Sequence, residues 1–235
     1  MAITRKRDQL RPTTIEPYQT AAPGSVLITM GQTQVLCTAS LATQPPKWLP
    51  KDDKGNYTRG WVTAEYAMLP GSTPDRKRRG TDGRSTEIQR LIARALRAGV
   101  NLEKMPGLLI TCDCDVLYAD GGTRTASITG AYVALAQAIG VARDKGLIQK
   151  NPLLGSVAAV SVGIVDDKAY LDLDYPLDSR AQVDMNVVMN HKGQYIEVQG
   201  TGEEGVFDRG QLDTLLDLAG KGVRQLGRIQ RAALA

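Results

Sequence analysis

Leu108-Leu-Ile-Thr-Cys-Asp-Cys-Asp-Val-Leu-Tyr118, then Asp120-Gly-Gly-Thr-Arg-Thr125, then a helical pattern to about Gly140, is the stretch that decides the fold. The first part reads as a strand. In the last, Ile128, Tyr132, Leu135 and Ile139 recur at helical spacing, and Ala131, Ala134, Ala136 and Ala138 fill the gaps. Such a helix packs closely on a sheet. Between strand and helix, two glycines let the backbone approach a ligand with no Cβ in the way. The helix start leaves N–H groups unpaired and the positive end of its dipole facing the turn, which suits a phosphate. Arg124 adds a planar fork of donors. A Gly-rich turn before a helix also serves as a plain turn, so its neighbours have to decide.

Upstream, Ser25–Thr29 and Gln34–Thr38 are β-rich runs joined through Met30-Gly31-Gln32-Thr33, a hairpin pattern. Gln44 to Arg59 reads as a loop, Trp61 to Leu69 as a strand, and Pro70 to about Gly83 as a polar, basic loop. Arg84 to Gly99 carries Ile88, Leu91, Ile92, Ala95 and Leu96 as the stripe of a helix, with Arg90, Arg94 and Arg97 on the other face. Downstream, Val157–Val165 with Ala169–Asp174, and Val183–Met189 with Tyr195–Gln199, form two more hairpins. A last helix spans about Asp208 to Ala232. This order predicts an α+β fold with mixed and antiparallel sheets and helices packed on one side, in one unit over 1–235.

The 235 residues are 42% hydrophobic, enough for a sizeable core. No apolar run approaches the roughly 18–20 residues of a membrane span, so no membrane role is expected. The basic start, residues 1–10, has no apolar core of a secretory signal and reads as a flexible arm. Three cysteines (Cys37, Cys112, Cys114) form no paired framework; they read as buried reduced thiols in the cytoplasm.

Net charge is only +4 but uneven. Pro70–Arg97 holds eight Arg/Lys against three acids, whereas Asp166–Asp184 holds six Asp against two bases. That pairing points to a polyanionic partner and a cation. The single histidine, His191, lies in a hairpin turn, which argues against a His-based nucleophile relay. Asp172 and Asp174 fall on one strand face, read as the solvent side of an edge strand. Asp178 and Asp184 flank a strand junction and are the better candidates to hold a hard divalent cation such as Mg²⁺. The loop Arg76-Lys77-Arg78-Arg79 has no interleaved aromatic residue, so it would read the phosphates of a polyanion rather than sequence.

Several stretches in register resemble the ribonuclease PH family: Gly60-Trp-Val-Thr-Ala-Glu-Tyr-Ala-Met-Leu-Pro70, Gly83-Arg-Ser-Thr-Glu-Ile-Gln-Arg-Leu-Ile92, Asp113–Leu117 running into Asp120–Gly130, Ala158–Gly163, Val183–Val187 and Glu197–Glu203. The resemblance covers Gln9 to the C-terminus. It implies a fold like domain 2 of ribosomal protein S5 and a phosphate-dependent 3′→5′ exoribonuclease, or tRNA nucleotidyltransferase, acting on tRNA precursors and other structured RNAs with 3′ extensions. It implies phosphate binding by Arg84, Gly122, Thr123 and Arg124, and a metal and acid pair at Asp178 and Asp184. It also implies a homohexamer, a trimer of dimers. The alternative is a catalytically inactive, RNA-binding ring subunit of an exosome-like assembly. The chain departs from the family pattern at Lys51–Arg59, at Gly71 and at Arg180–Gln182, which bears on RNA contacts rather than the phosphate site.

Overall fold

The computed structural model describes residues 5–80 and 82–235. In chain order the elements are β1 (Thr13–Pro17), β2 (Gly24–Met30), β3 (Thr33–Ala42), β4 (Trp61–Met68), α1 (Gly83–Arg97), β5 (Leu109–Tyr118), α2 (Thr123–Asp144), β6 (Val157–Val165), β7 (Lys168–Leu171), the one-turn α3 (Tyr175–Asp178), β8 (Val183–Asn190), β9 (Tyr195–Gly202) and α4 (Arg209–Ala233). They make two sheets, ordered β1-β2-β3-β5-β4 and β7-β6-β8-β9. Only the β4–β5 pairing is parallel among the described strands. The fold is the expected mixed α+β arrangement.

The buried helix α2 lies against β2 and β3 of the first sheet and reaches β6 of the second. Fifteen of its 22 residues are buried. By length and hydropathy alone α2 would qualify as a membrane span, which corrects the expectation that no such run exists. Its apolar character instead serves burial between the two sheets. Thr129 fastens it there: its hydroxyl accepts from the Ala159 amide at 3.1 Å. Gln230 of α4 donates to the Thr129 and Val157 carbonyls at 2.9 and 2.8 Å, so α4, α2 and β6 share one polar knot within the core.

Three boundaries differ from expectation. Helix α2 runs through Gly140 and stops only where Gly146, at φ +69°, closes the last turn by donating to the Arg143 carbonyl. β1 had no counterpart in the sequence reading; it pairs with β2 along its whole length. The basic arm is not free from residue 5 onward. Leu10 is buried, Arg5 donates to the Leu171 carbonyl at 2.7 Å, and Asp8 pairs with Lys221 of α4 at 2.5 Å. Apolar burial and these contacts outweigh the disorder expected of a polar terminus. Residues 1–4 of that arm lie outside the described residues.

The closeness of α2 to the first sheet depends on glycine. A Cβ at Gly24 would sit 1.9 Å from the Ala134 carbonyl oxygen, whereas one at Gly140 would meet nothing within 4 Å. Gly24→Ala is therefore expected to cost about 3 kcal/mol or more, because backbone has to move. Gly140→Ala should gain about 0.5–1 kcal/mol from helix propensity. Urea unfolding of the two variants checks both signs.

Candidate active site

The decisive strand–turn–helix opens onto a cavity of about 430 Å³. Strand β5 delivers the chain to Asp120, and the turn then needs two successive left-handed residues, Gly121 (φ +73°) and Gly122 (φ +65°). A side chain at Gly121 would meet the Leu173 carbonyl at 2.6 Å, so space as well as conformation demands glycine. No side chain caps the start of α2. Its first amides and dipole are left to face the cavity.

The turn is fixed from behind. Arg11, 5% exposed, donates to the Asp120 carbonyl at 2.5 Å and spans both oxygens of Asp172, with its Nε at 3.0 Å and an Nη at 2.7 Å. The Arg11 amide also donates to Asp172 at 2.8 Å. Thr33, in the β2–β3 hairpin, donates its hydroxyl to the Gly121 carbonyl at 2.7 Å and accepts from the Asp120 amide at 2.9 Å. With these carbonyls engaged, the turn cannot rotate without breaking a buried network.

Around this turn the cavity brings together six of the expected residues: Arg84, Gly122, Thr123, Arg124, Asp178 and Asp184. Arg84 stands in the first turn of α1, whose start is capped by Asp82 accepting from the Ser85 amide at 2.7 Å. Arg124 is held by Gln199 of β9 at 2.8 Å and Glu87 of α1 at 3.4 Å. Thr123 shares a 2.9 Å hydrogen bond with the Tyr66 hydroxyl of β4. Lys77 and Arg78 of the basic loop also reach the cavity, whereas Arg76 and Arg79 do not line it.

The acidic wall comes from the second sheet. Asp178 ends α3, rather than lying in an open loop, and Asp184 stands on β8. Burial, then Asp178 and Glu203, push the Asp184 carboxyl up to about 6, against the pull of Arg124 and Arg84. Asp178 is also raised, first by burial and then by Glu203. Asp184 Oδ1 is buried and finds no hydrogen-bond partner among the described residues. An orphaned carboxylate oxygen beside a second carboxylate fits a divalent cation. No group of three or more His, Cys, Asp or Glu gathers as a metal cage among the described residues. Two carboxylates with the other positions left to water and substrate phosphate is the usual arrangement for Mg²⁺.

Asp172 corrects the sequence reading. It is not a solvent-side strand residue: β7 ends at Leu171, and Asp172 turns inward at φ +60°, fully buried against Arg11. Asp174 caps α3 by accepting from the Leu177 amide at 3.1 Å. Arg11, Thr33, Glu87 and Gln199 were missed because each acts across more than 35 residues of chain. Tyr66, Glu87, Gln199 and Glu203 lay inside quoted motifs, and that was the signal available for them. The departures are local: Gln182 pairs with Asp167 of the β6–β7 turn at 3.0 Å, and Arg180 donates to the Pro176 carbonyl at 3.0 Å.

Two outcomes are expected. Arg11→Ala leaves Asp172 charged, buried and unpaired, so it should cost about 3–5 kcal/mol in urea unfolding. The Arg11→Ala/Asp172→Ala pair should cost less than the sum of the two single changes. The second outcome concerns Asp184. Its proton is held more tightly in the folded chain, so its contribution to stability is complete below the ordinary value of 3.8 and is lost as pH rises through about 6. In buffer containing a chelator, Asp184→Asn should therefore flatten the fall in stability between those limits, by at most about 3 kcal/mol. Melting curves across pH read this directly.

Known proteins are similar to this chain over nearly its whole length. The profile described as "3′ exoribonuclease family, domain 1" matches residues 9–139, and "3′ exoribonuclease family, domain 2" matches residues 155–222. Ribonuclease PH of Corynebacterium glutamicum strain R is 53% identical over 98% of this chain and 94% of its own length. Ribonuclease PH of Corynebacterium efficiens matches with the same identity and coverage. Among solved structures, a chain of the "archaeoglobus fulgidus exosome with RNA bound to the active site" superposes with a TM-score of 0.81 at 23% identity, covering 95% of this chain and 90% of that one. Rice (Oryza sativa) Rrp46 gives 0.77 at 18% identity, with 99% of each chain covered. The fold, the cavity and the identity over nearly the whole length lead to one assignment: this chain belongs to the ribonuclease PH family of 3′ exoribonucleases.

Proposed function

We propose that the cavity is the phosphorolysis centre of a 3′→5′ exoribonuclease, with inorganic phosphate as the attacking reactant. The observation that carries this reading is the convergence of Arg84, Arg124 and the uncapped start of α2 on one cavity, opposite Asp178 and Asp184. Two guanidiniums and a free helix start are suited to a dianion. With phosphate as nucleophile, the protein needs no Ser, Cys or His to attack; it needs positioning and charge neutralisation.

The step balances simply. A phosphate oxygen forms a bond to the 3′-terminal phosphorus of the RNA, and the bond from that phosphorus to the preceding 3′ oxygen breaks. A nucleoside diphosphate leaves, and the shortened RNA takes up a proton on its new 3′ hydroxyl. Arg84 and Arg124 hold the attacking oxygens, and the Gln199 and Glu87 contacts keep Arg124 from swinging away. The Thr123 hydroxyl, set by Tyr66, is a further donor at the same end. Asp184, its carboxyl raised to about 6 chiefly by burial, is the acid proposed to supply that proton. When a divalent cation is bound there, it supplies charge offset at the scissile phosphate.

Lys77 and Arg78 extend the positive surface outward along the entering RNA backbone, with Arg76 and Arg79 beside them, a contact expected to weaken steeply with salt. tRNA precursors and other structured RNAs with 3′ extensions are the proposed substrates, Mg²⁺ the proposed ion, and the cytoplasm the proposed location. A homohexameric ring, a trimer of dimers, is the proposed assembly. On the exposed face of α1, Arg94 pairs with Glu197 at 2.6 Å and Arg97 stacks on Trp61, leaving Arg90 for a neighbouring subunit. The alternative of a silent ring subunit is disfavoured because both arginines and both aspartates are present in one cavity.

Incubation of a 3′-extended tRNA with the protein, Mg²⁺ and phosphate should release nucleoside diphosphates. Equal shortening without phosphate, or nucleoside monophosphate products, would contradict phosphorolysis. Arg124→Ala should slow the reaction by about 10²–10³-fold, the scale of a lost transition-state donor.

A further inference from the structure

A second cavity, of about 360 Å³, shares no lining residue with the first. One wall is a single face of α4: Gly220, Val223, Arg224, Gly227, Arg228 and Arg231 follow at spacings of three and four. The other wall is the β8–β9 turn, which contributes His191 and Lys192. No carboxylate lines the cavity, and none of Arg224, Arg228, Arg231 or Lys192 has an ion-pair partner among the described residues.

Arg231 alone is explained by the helix, since a cation in the last turn offsets the dipole. Arg224 lies two turns earlier, and like charges at these spacings repel. His191 and Lys192 arrive from a different element, which makes the convergence more than a helical stripe. The imidazole is seated deliberately: a Cβ at Gly155 would stand 2.1 Å from His191 Nδ1, so glycine there makes room for the ring. Gly220 and Gly227 keep the helix wall low, so that the flanking guanidiniums border an open space.

We propose that this cavity is a second anion site, separate from the phosphorolysis centre, that takes a compact diphosphate-bearing anion. Three guanidiniums and an ammonium supply charge-assisted donors, the imidazole adds a ring N–H, and Arg presents a fork that matches phosphate oxygens. No aromatic ring other than the imidazole lines it, so recognition rests on charge rather than on stacking of a base. The size suits a small molecule. Inorganic pyrophosphate and the diphosphate of a nucleotide offer the same chemistry.

The test is calorimetry on the full chain carrying Arg84→Ala and Arg124→Ala, which removes the main anion contacts of the first cavity. Pyrophosphate should still bind once per chain. Adding Arg224→Ala and Arg228→Ala, both exposed positions, should weaken it by roughly 100-fold, about tenfold per charge-assisted contact. Lys145→Ala, another exposed cation, should leave it unchanged. A parallel titration with ADP assigns the source: equal dependence on Arg224 and Arg228 supports a nucleotide, and binding by pyrophosphate alone supports an inorganic anion. The proposal is overturned by no binding at millimolar pyrophosphate, or by equal weakening from Lys145→Ala. A change of oligomeric state in the Arg224/Arg228 variant, with pyrophosphate binding intact, would also overturn it and mark a subunit contact instead. Because the first cavity is disabled throughout, failure here leaves the phosphorolysis reading untouched.

Discussion

The site depends on a buried ion pair that touches no reactant. Arg11 and Asp172 lie 161 residues apart in sequence and meet where water is excluded. Burying two charges is costly, and such a pair persists only where geometry and further hydrogen bonds compensate. Here Arg11 spends its remaining donors on the carbonyls of the Asp120–Gly121 turn. The pair is thus a weak source of net stability and a strong source of position. It couples the start of β1, the Asp120–Gly122 turn and the end of β7, so the amides facing the cavity are aimed by groups behind it.

The acidic half of the site uses the opposite device. Asp184 is left with a buried oxygen unsatisfied beside Asp178 and Glu203, and its raised proton affinity comes first from that burial and then from the neighbouring carboxylates. Carboxylates in this state accept a proton or a cation with little reorganisation. Across the same cavity, Arg84 and Arg124 are drawn toward them electrostatically but stay separate, because Gln199 and Glu87 engage Arg124. A pocket with opposed charged walls that do not collapse on each other is one that an anionic reactant and a cation can enter together.

Much of this was legible in the sequence where the signal is local. Periodicity located α1, α2 and α4, alternation located the hairpin strands, and the paired glycines located the turn. Gly140 misled as a helix stop because glycine marks an end only when it adopts the left-handed conformation, which Gly146 does and Gly140 does not. Asp172 misled because a period of two was carried past the true end of β7. Arg11 had no local signal at all, and Gln199 and Glu87 had only their place inside family-like stretches; the roles of all three exist only once distant elements are in contact. The candidate arginines and aspartates were recognisable as types and motifs, while their orientation was not.

The cavity draws its arginines and its turn from elements of the first sheet and its carboxylates from the second, with α2 wedged between them. A chain that has folded only its first half therefore holds cations without an acidic wall, and the second half alone holds the reverse. Neither can cut. Because β8, β9 and Glu203 are made after every first-sheet element that lines the cavity, the proposed site is complete only when the seam between the halves has closed. On the proposed function, a partly made or partly melted chain carries only half of the machinery for shortening RNA.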